Sequence, residues 1–314
     1  MKINIKNKIV LSFIEMGLNI PYRLLFILLS LFQTKDKETK EYFISICAIF
    51  KNEARYMAEW IEYHKMLGVD HIYLYDNNSE DNYRDVIAPY INEGFITLKS
   101  WPMEHGQMAA YEDCYKSNRK DTKWLAFIDL DEFICPQKET DIKKWLIKYE
   151  LYPAVSIYWQ MFGTNGHIEP NYDKLVIEQY THAWSKLEGI GKIILNTNEK
   201  FKPTHIYHHH IFNRFKCLFF TIKVPMISEN KKFIFFPQIY KAPKNNTIQL
   251  NHYWSKSFNE YSSKVKKGDV ASIENFKKRQ NLDFFYMHEK HNVCENKVIW
   301  RFLINLKLRL NMKN

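Results

Sequence analysis

An α/β fold with a mostly parallel central sheet and flanking helices is the architecture this sequence predicts. Three observations carry it. Between residues 42 and 129, short apolar runs of strand length alternate with longer stretches of helical periodicity. Gly68 and Gly94 stand where two of those helices should stop. Polar clusters follow the strand-like runs three times, at Asn52-Glu53, Asp76-Asn77-Asn78 and Asp129-Leu130-Asp131. In such sheets ligands bind outside the carboxyl ends of the strands, so three polar clusters converge on one edge.

The chain opens with an apolar stretch, residues 9–32, interrupted by Glu15, Asn19, Pro21 and Arg23. A spanning helix needs about 20 mostly apolar residues. The interruptions instead predict two short segments that lie on a membrane or pack on the domain, with a signal anchor as the alternative. No small-residue cleavage site marks a signal peptide. Residues 33–41 form a charged tether.

Tyr42 to Phe50 then reads as a strand. Glu53 to Leu67 reads as a helix with Met57, Trp60, Ile61, His64 and Leu67 on one side. His71 to Tyr75 is the next strand. Ser79 is placed to cap a helix running to about Asn92. Phe95 to Lys99 is a strand, and about Gly106 to Asn118 a helix. Trp124 to Ile128 is a core strand that runs into Asp129. Units of this length imply right-handed βαβ crossovers.

Beyond Pro136, Ala154 to Phe162 reads as a strand leading to the Gly163–His167 loop. Trp159 lies beside that loop. Residues 174–250 mix short strands and loops. His205, His208, His209 and His210 read as a polar loop, since no cysteine partners them and their spacing is not that of a zinc site. A Lys-rich helix, Phe258 to Lys267, ends at Gly268. Residues 296–310 carry Lys297, Arg301, Lys307 and Arg309 among apolar residues, a basic amphipathic helix suited to an anionic membrane surface. Three parts follow: an N-terminal segment 1–40, a main domain 41–270 and a C-terminal tail 271–314.

The net charge of +10 asks for an anionic partner. The five cysteines are scattered without a Cys-X-X-Cys, which argues against a disulfide framework or structural zinc and fits a reducing compartment. Neither Gly-X-Gly-X-X-Gly nor Gly-X-X-X-X-Gly-Lys occurs. A nucleotide bound here would therefore need a metal to hold its pyrophosphate. Side chains alternate along a strand, so Asp129 and Asp131 should share one face while Leu130 points away. Two carboxylates together call for a cation, and oxygen ligands suit Mg²⁺ or Mn²⁺ completed by a nucleotide's phosphates.

Five stretches together resemble glycosyltransferase family 92: residues 51–64 (Lys-Asn-Glu-Ala-Arg-Tyr-Met-Ala-Glu-Trp-Ile-Glu-Tyr-His), 68–79 (Gly-Val-Asp-His-Ile-Tyr-Leu-Tyr-Asp-Asn-Asn-Ser), 107–114 (Gln-Met-Ala-Ala-Tyr-Glu-Asp-Cys), 129–133 (Asp-Leu-Asp-Glu-Phe) and 252–257 (His-Tyr-Trp-Ser-Lys-Ser). The resemblance covers about residues 43–268. It implies a GT-A fold and a metal-dependent, inverting transferase that uses a nucleotide sugar, UDP-galactose in most known members. It further implies that Asn52, Glu53 and Asp76 line the nucleotide pocket and that Gln107 lies near the donor. Asp129 and Asp131 would hold Mn²⁺ (or Mg²⁺) and the donor diphosphate. His252 would complete the metal shell, Lys256 would reach a phosphate, and the Gly163–His167 loop, flanked by Trp159, would offer the sugar an aromatic platform.

Inversion needs a base opposite the leaving group, and the sequence leaves Glu132, Glu188 and Glu260 open, with Glu132 expected to face away from Asp131. The two terminal segments and the basic charge suggest a cytoplasmic enzyme, peripheral on the inner membrane face, acting on a lipid-linked glycan such as lipopolysaccharide or capsule. The rival readings are a Mg²⁺-dependent nucleotidyltransferase and a nucleic-acid-binding protein. No recognised nucleic-acid module is present and the basic residues are spread out, so no nucleic-acid partner is expected.

Overall fold

The computed structural model describes residues 7–31, 39–217, 220–237, 242–267 and 282–312. The Gly268 stop and most of the charged tether lie outside them. Thirteen strands are numbered in chain order: β1 (Tyr42–Phe50), β2 (His71–Asp76), β3 (Ile96–Ser100), β4 (Thr122–Phe127), β5 (Glu132–Pro136), β6 (Ala154–Met161), β7 (His182–Trp184), β8 (Gly191–Asn196), β9 (Phe201–Pro203), β10 (Phe212–Cys217), β11 (Phe220–Pro225), β12 (Ile248–His252) and β13 (Asn292–Glu295). Four helices matter most: α1 (Lys8–Leu31), α2 (Ala54–Met66), α3 (Tyr83–Asn92) and α4 (Gln107–Asn118).

The central sheet has eight strands in the order β3-β2-β1-β4-β8-β6-β12-β5. The first four are mutually parallel. β8 runs antiparallel to β4 and to β6, β12 is parallel to β6, and β5 is antiparallel to β12. Six strands thus share one direction, so the sheet is mostly parallel as expected. β1 lies inside it, with neighbours on both edges, and its continuous apolar run matches a strand covered on both faces.

α2 follows the expected pattern, burying Met57, Trp60, Ile61 and Tyr63, and Gly68 stops it with a positive φ of 96°. It also seals the far edge of the sheet. Trp60 Nε1 donates to the Glu132 carbonyl (2.8 Å) and Tyr63 Oη to the Ile134 carbonyl (2.8 Å), so β5 shows α2 its unpaired backbone groups and finds them satisfied. The sheet therefore curls until its last strand meets its first helix.

The three-stranded sheet β11-β10-β9 and the pair β13-β7 are additions to this frame. Ser79 does not cap α3, whose first turn begins at Tyr83; its hydroxyl instead accepts from the Asn52 backbone amide (3.0 Å).

Two terminal expectations change. Residues 8–31 form one helix with Pro21 inside it, rather than two segments. A proline removes one i→i−4 bond, a loss a helix survives where tertiary contacts hold both halves. Here Leu11 and Phe26, on opposite sides of the proline, are both buried.

Residues 296–310 are not one helix either. A 3₁₀ turn over Val298–Phe302 precedes the helix Leu303–Arg309. Ile299, Phe302 and Leu306 are buried against the domain. Arg301 caps the carbonyls of Pro136, Gln137 and Glu139, while Lys307 pairs with Glu178 (2.8 Å) and Arg309 with Glu62 (3.3 Å). Basic residues read as membrane-facing thus bond to the protein itself.

Candidate active site

β4 ends at Phe127, and the chain turns through residues 128–131 before β5 starts at Glu132. Asp129 and Asp131 therefore sit in a turn at the carboxyl end of β4, not on one face of a strand. The strand expectation failed because the turn closes on itself: Glu132 N donates to the Asp129 carbonyl (3.1 Å), and Asp129 N donates to Glu132 Oε2 (2.9 Å). Glu132 is wholly buried and its other oxygen accepts from Trp159 Nε1 (2.7 Å). Burial drives its carboxyl well above the usual range despite the nearby Lys192 ammonium. It braces the turn, with both carboxylate oxygens engaged inside the protein.

The two aspartates have different surroundings. Asp129 has both oxygens taken: Oδ1 accepts from Gln107 Nε2 (3.0 Å) and Tyr111 Oη (3.1 Å), and Oδ2 accepts from Lys192 Nζ (2.8 Å). Lys192 sits on β8, buried, and 3.7 Å from Glu132 Oε1. Burial opposes charge on each partner, but their attraction prevails, holding Asp129 below the usual carboxylate range and Lys192 above the usual amine range. Asp131 is held otherwise. Its Oδ1 lies 3.5 Å from His252 Nε2, and its Oδ2 meets the Lys264 ammonium from the helix Phe258–Lys267. Burial again opposes its charge, and Lys264 and His252 overcome it, keeping Asp131 well below the usual range.

His252 reaches this point through the sheet. It is the last residue of β12 and pairs across the ladder with Glu132, while Tyr253 N donates to the Asp131 carbonyl (2.9 Å). The 129–133 and 252–257 stretches, distant in sequence, are adjacent strands. His252 Nδ1 is buried without a hydrogen-bond partner, and burial pushes the ring below its ordinary pKa although Asp131 pulls the other way. A carboxylate oxygen and an imidazole nitrogen are acceptable donors to Mn²⁺ or Mg²⁺. Among the described residues no group of three His, Cys, Asp or Glu side chains is gathered to hold an ion. Asp129 faces Lys192, so a divalent cation here would have Asp131 and His252 from the protein and take its remaining ligands from a diphosphate and water, as Mg²⁺ sites commonly do.

The other sequence-derived residues divide into frame and rim. Asp76 is enclosed, accepting from Ser79 N (2.9 Å) and Tyr83 Oη (2.8 Å). Asn52, in a left-handed conformation with φ of 54°, accepts from Glu80 N (2.7 Å), tying the loops after β1 and β2 together. Glu53 is the residue before α2. Gln107 begins α4 and reaches Asp129 directly. Lys256 is buried with its ammonium 4.3 Å from the Tyr56 ring centre.

Glu260 completes a capping box: Ser257 N and Oγ donate to its Oε2 (both 3.2 Å), and its own amide donates to Ser257 Oγ (3.3 Å). Tyr180 Oη donates to the same oxygen (3.1 Å). These bonds make Glu260 part of the helix cap. Glu188 is half-buried, and its amide donates to the Trp159 carbonyl (2.8 Å), beside the ring that packs on His252.

Several site residues escaped the sequence reading as site residues. Lys192 stands alone in the apolar run Gly191-Lys-Ile-Ile-Leu195. A buried lysine needs a carboxylate partner, and that was the available signal. Trp159, read as a sugar platform, packs between His252 (ring centres 4.8 Å) and His209 (5.2 Å). Part of the histidine cluster, read as a polar loop, lines the site: His208 meets Tyr111, and His209 Nδ1 contacts the Gly191 carbonyl at 2.6 Å. Burial and the Lys192 charge push His209 down to about 4, so it is neutral. Lys264, read only as part of a Lys-rich helix, contacts Asp131.

The chain is similar to several known proteins. A glycosyltransferase family 92 protein of Oryza sativa subsp. japonica is 31% identical over 122 residues, 38% of this chain and 21% of that protein. The beta-1,4-galactosyltransferase galt-1 of Caenorhabditis elegans is 33% identical over 110 residues, 31% of this chain and 26% of that protein. The aligned stretches thus span about a fifth to a quarter of these curated relatives. Among solved structures, S. aureus TarS 1-349 aligns over 76% of this chain and 69% of its own at a TM-score of 0.38 and 12% identity. The model of glycosyltransferase family 92 matches residues 40–302, most of the sequence, and the chain belongs to that family.

Proposed function

We propose that this protein transfers a hexose, galactose in the best-supported reading, from a UDP-sugar to a glycan acceptor, with inversion and with a divalent cation. The observation that carries the proposal is the pairing of Asp131 with His252 beside an Asp129 already neutralised by Lys192. That arrangement offers a cation the Asp131 oxygen not held by Lys264 and the His252 imidazole. The names of the relatives favour the hexose, since galt-1 and the galactan beta-1,4-galactosyltransferase GALS3 of Arabidopsis thaliana both carry galactose transfer in theirs.

When bound, the cation would supply Lewis-acid neutralisation of the departing diphosphate. The chain's own residues do the rest. Asp131 and His252 would hold the cation. Gln107, Tyr111 and Lys192 hold Asp129 still, so the turn keeps its shape as charge develops. Trp159 and His209 wall the site against water. Glu188, anchored through its amide to Trp159, is the base we assign to the acceptor hydroxyl. A lipid-linked surface glycan, reached from the inner membrane face, is the acceptor class that the basic charge and apolar N-terminal helix support.

The test is hydrolysis of UDP-galactose, UDP-glucose, UDP-N-acetylgalactosamine and UDP-N-acetylglucosamine, with Mn²⁺ and with EDTA, following UDP and pyrophosphate separately. Mn²⁺-dependent UDP release from one sugar supports the reading. Release that survives EDTA overturns the cation's role, and pyrophosphate release would make the protein a nucleotidyltransferase.

A further inference from the structure

The N-terminal helix is built inside out. Leu11, Glu15, Asn19, Tyr22 and Phe26 recur every three or four residues and form one stripe facing the domain. Three of the five are polar, and each is bonded to backbone. Glu15 Oε2 accepts from Phe236 N (3.1 Å). Asn19 bonds Phe233 twice, donating to its carbonyl (3.0 Å) and accepting from its amide (2.8 Å). Tyr22 Oη donates to the Lys223 carbonyl (2.6 Å).

The opposite stripe includes Ile9, Phe13, Met16, Ile20, Leu24 and Leu31, all apolar and all exposed, Ile20 at 70% and Leu31 at 73%. A helix on a protein surface in water has the reverse distribution. A contiguous exposed apolar face of this kind marks an interaction surface.

A second observation gives the partner's chemistry. In the sheet of β9, β10 and β11, Lys202 pairs with Arg214 and Arg214 pairs with Lys223. All three are exposed, and none is in an ion pair among the described residues. Like charges directly opposed destabilise a sheet, so this basic row is suited to an anionic partner. It adjoins α1, because the Tyr22 hydroxyl bonds the Lys223 backbone.

The segment Lys8–Leu28 is long and apolar enough to cross a bilayer. Crossing would strip Glu15 and Asn19 from their partners and carry them into hydrocarbon, where a charged or unpaired polar side chain is costly. Lying flat keeps every one of those bonds.

We propose that α1 is an in-plane membrane helix whose outer stripe lies in the acyl boundary of one leaflet, with Lys202, Arg214 and Lys223 on anionic headgroups. The domain then stays docked on its helix while resting on the bilayer. A lipid fits this stripe better than a protein partner, because it contains no Trp, Tyr or Arg, the residues on which protein–protein affinity concentrates.

The experiment is flotation of the full chain, purified in detergent, with vesicles of phosphatidylcholine alone or mixed with phosphatidylglycerol. Co-flotation with the anionic vesicles is expected, with release by alkaline carbonate. Phe13→Glu combined with Ile20→Glu should lower binding about tenfold or more, with an unchanged melting temperature because both side chains point away from the domain. Lys202→Glu with Arg214→Glu and Lys223→Glu should remove the preference for phosphatidylglycerol. Undiminished binding by the first variant overturns the proposal. So does resistance to carbonate, which would make α1 a spanning helix, or a concentration-dependent dimer that ignores vesicles, which would make a second copy the cover. UDP release by these variants is expected to match the parent, so failure here leaves the transferase reading untouched.

Discussion

The two halves of the central sheet handle polar residues in opposite ways. Behind β1 and β2, loops bind one another: Asp76 serves Ser79 and Tyr83, Asn52 serves Glu80, and Asp81 accepts from the Ala54 amide (2.8 Å) at the start of α2. In the half made of β8, β6, β12 and β5, the polar residues cross to the turn at 129–131: Lys192 from β8, Trp159 from β6, His252 from β12. The first half is a frame and the second holds the charges. A carboxylate enclosed by its own loop keeps shape, whereas one facing a histidine and a lysine on a surface helix can exchange partners for a ligand.

Substitutions can break this division. Asp131→Ala should lower sugar transfer by about 10³-fold or more, with little change in circular dichroism; retained turnover would erase the distinction. Glu188→Gln should cost about 10²–10⁴-fold in kcat while UDP binding by calorimetry stays as it was. Weakened UDP binding with normal kcat would move Glu188 to the donor side. In the frame half the effect should shift to stability. Asp76→Ala leaves the buried Tyr83 hydroxyl unpaired and should lower unfolding free energy by about 1–3 kcal/mol in urea, a larger loss than Asp131→Ala shows. The smallest effect concerns Lys264, whose ammonium occupies an Asp131 oxygen. Lys264→Ala should tighten binding of Mn²⁺ alone by about fivefold, the size of a partly exposed ion pair, read by titration calorimetry. Unchanged Mn²⁺ affinity would show that Lys264 does not compete there.

Much of the frame was legible because its signals are local. Apolar runs, helical stripes and stop glycines placed β1 to β4 and α2 to α4 within a few residues, and the Asp-X-Asp turn announced the site. The second half was harder to read. Lys192 and His209 each look like an ordinary residue in a strand or loop, and only antiparallel pairing of β8 with β4 and β6 carries Lys192 to Asp129. The capping box of Glu260, left open as a base by the sequence, shows only in the fold.

The sequence by itself determined the layered α/β scheme, the family and the position of the Asp-X-Asp motif after a core strand, because periodicity and contiguous motifs are properties of neighbouring residues. Only the tertiary structure decided which aspartate meets Lys192 and which meets His252 and Lys264, which glutamate closes a capping box, and which side of α1 faces inward. Those outcomes depend on partners brought from distant parts of the chain. A buried charge takes the role that its nearest opposite charge and hydrogen-bond donors leave it.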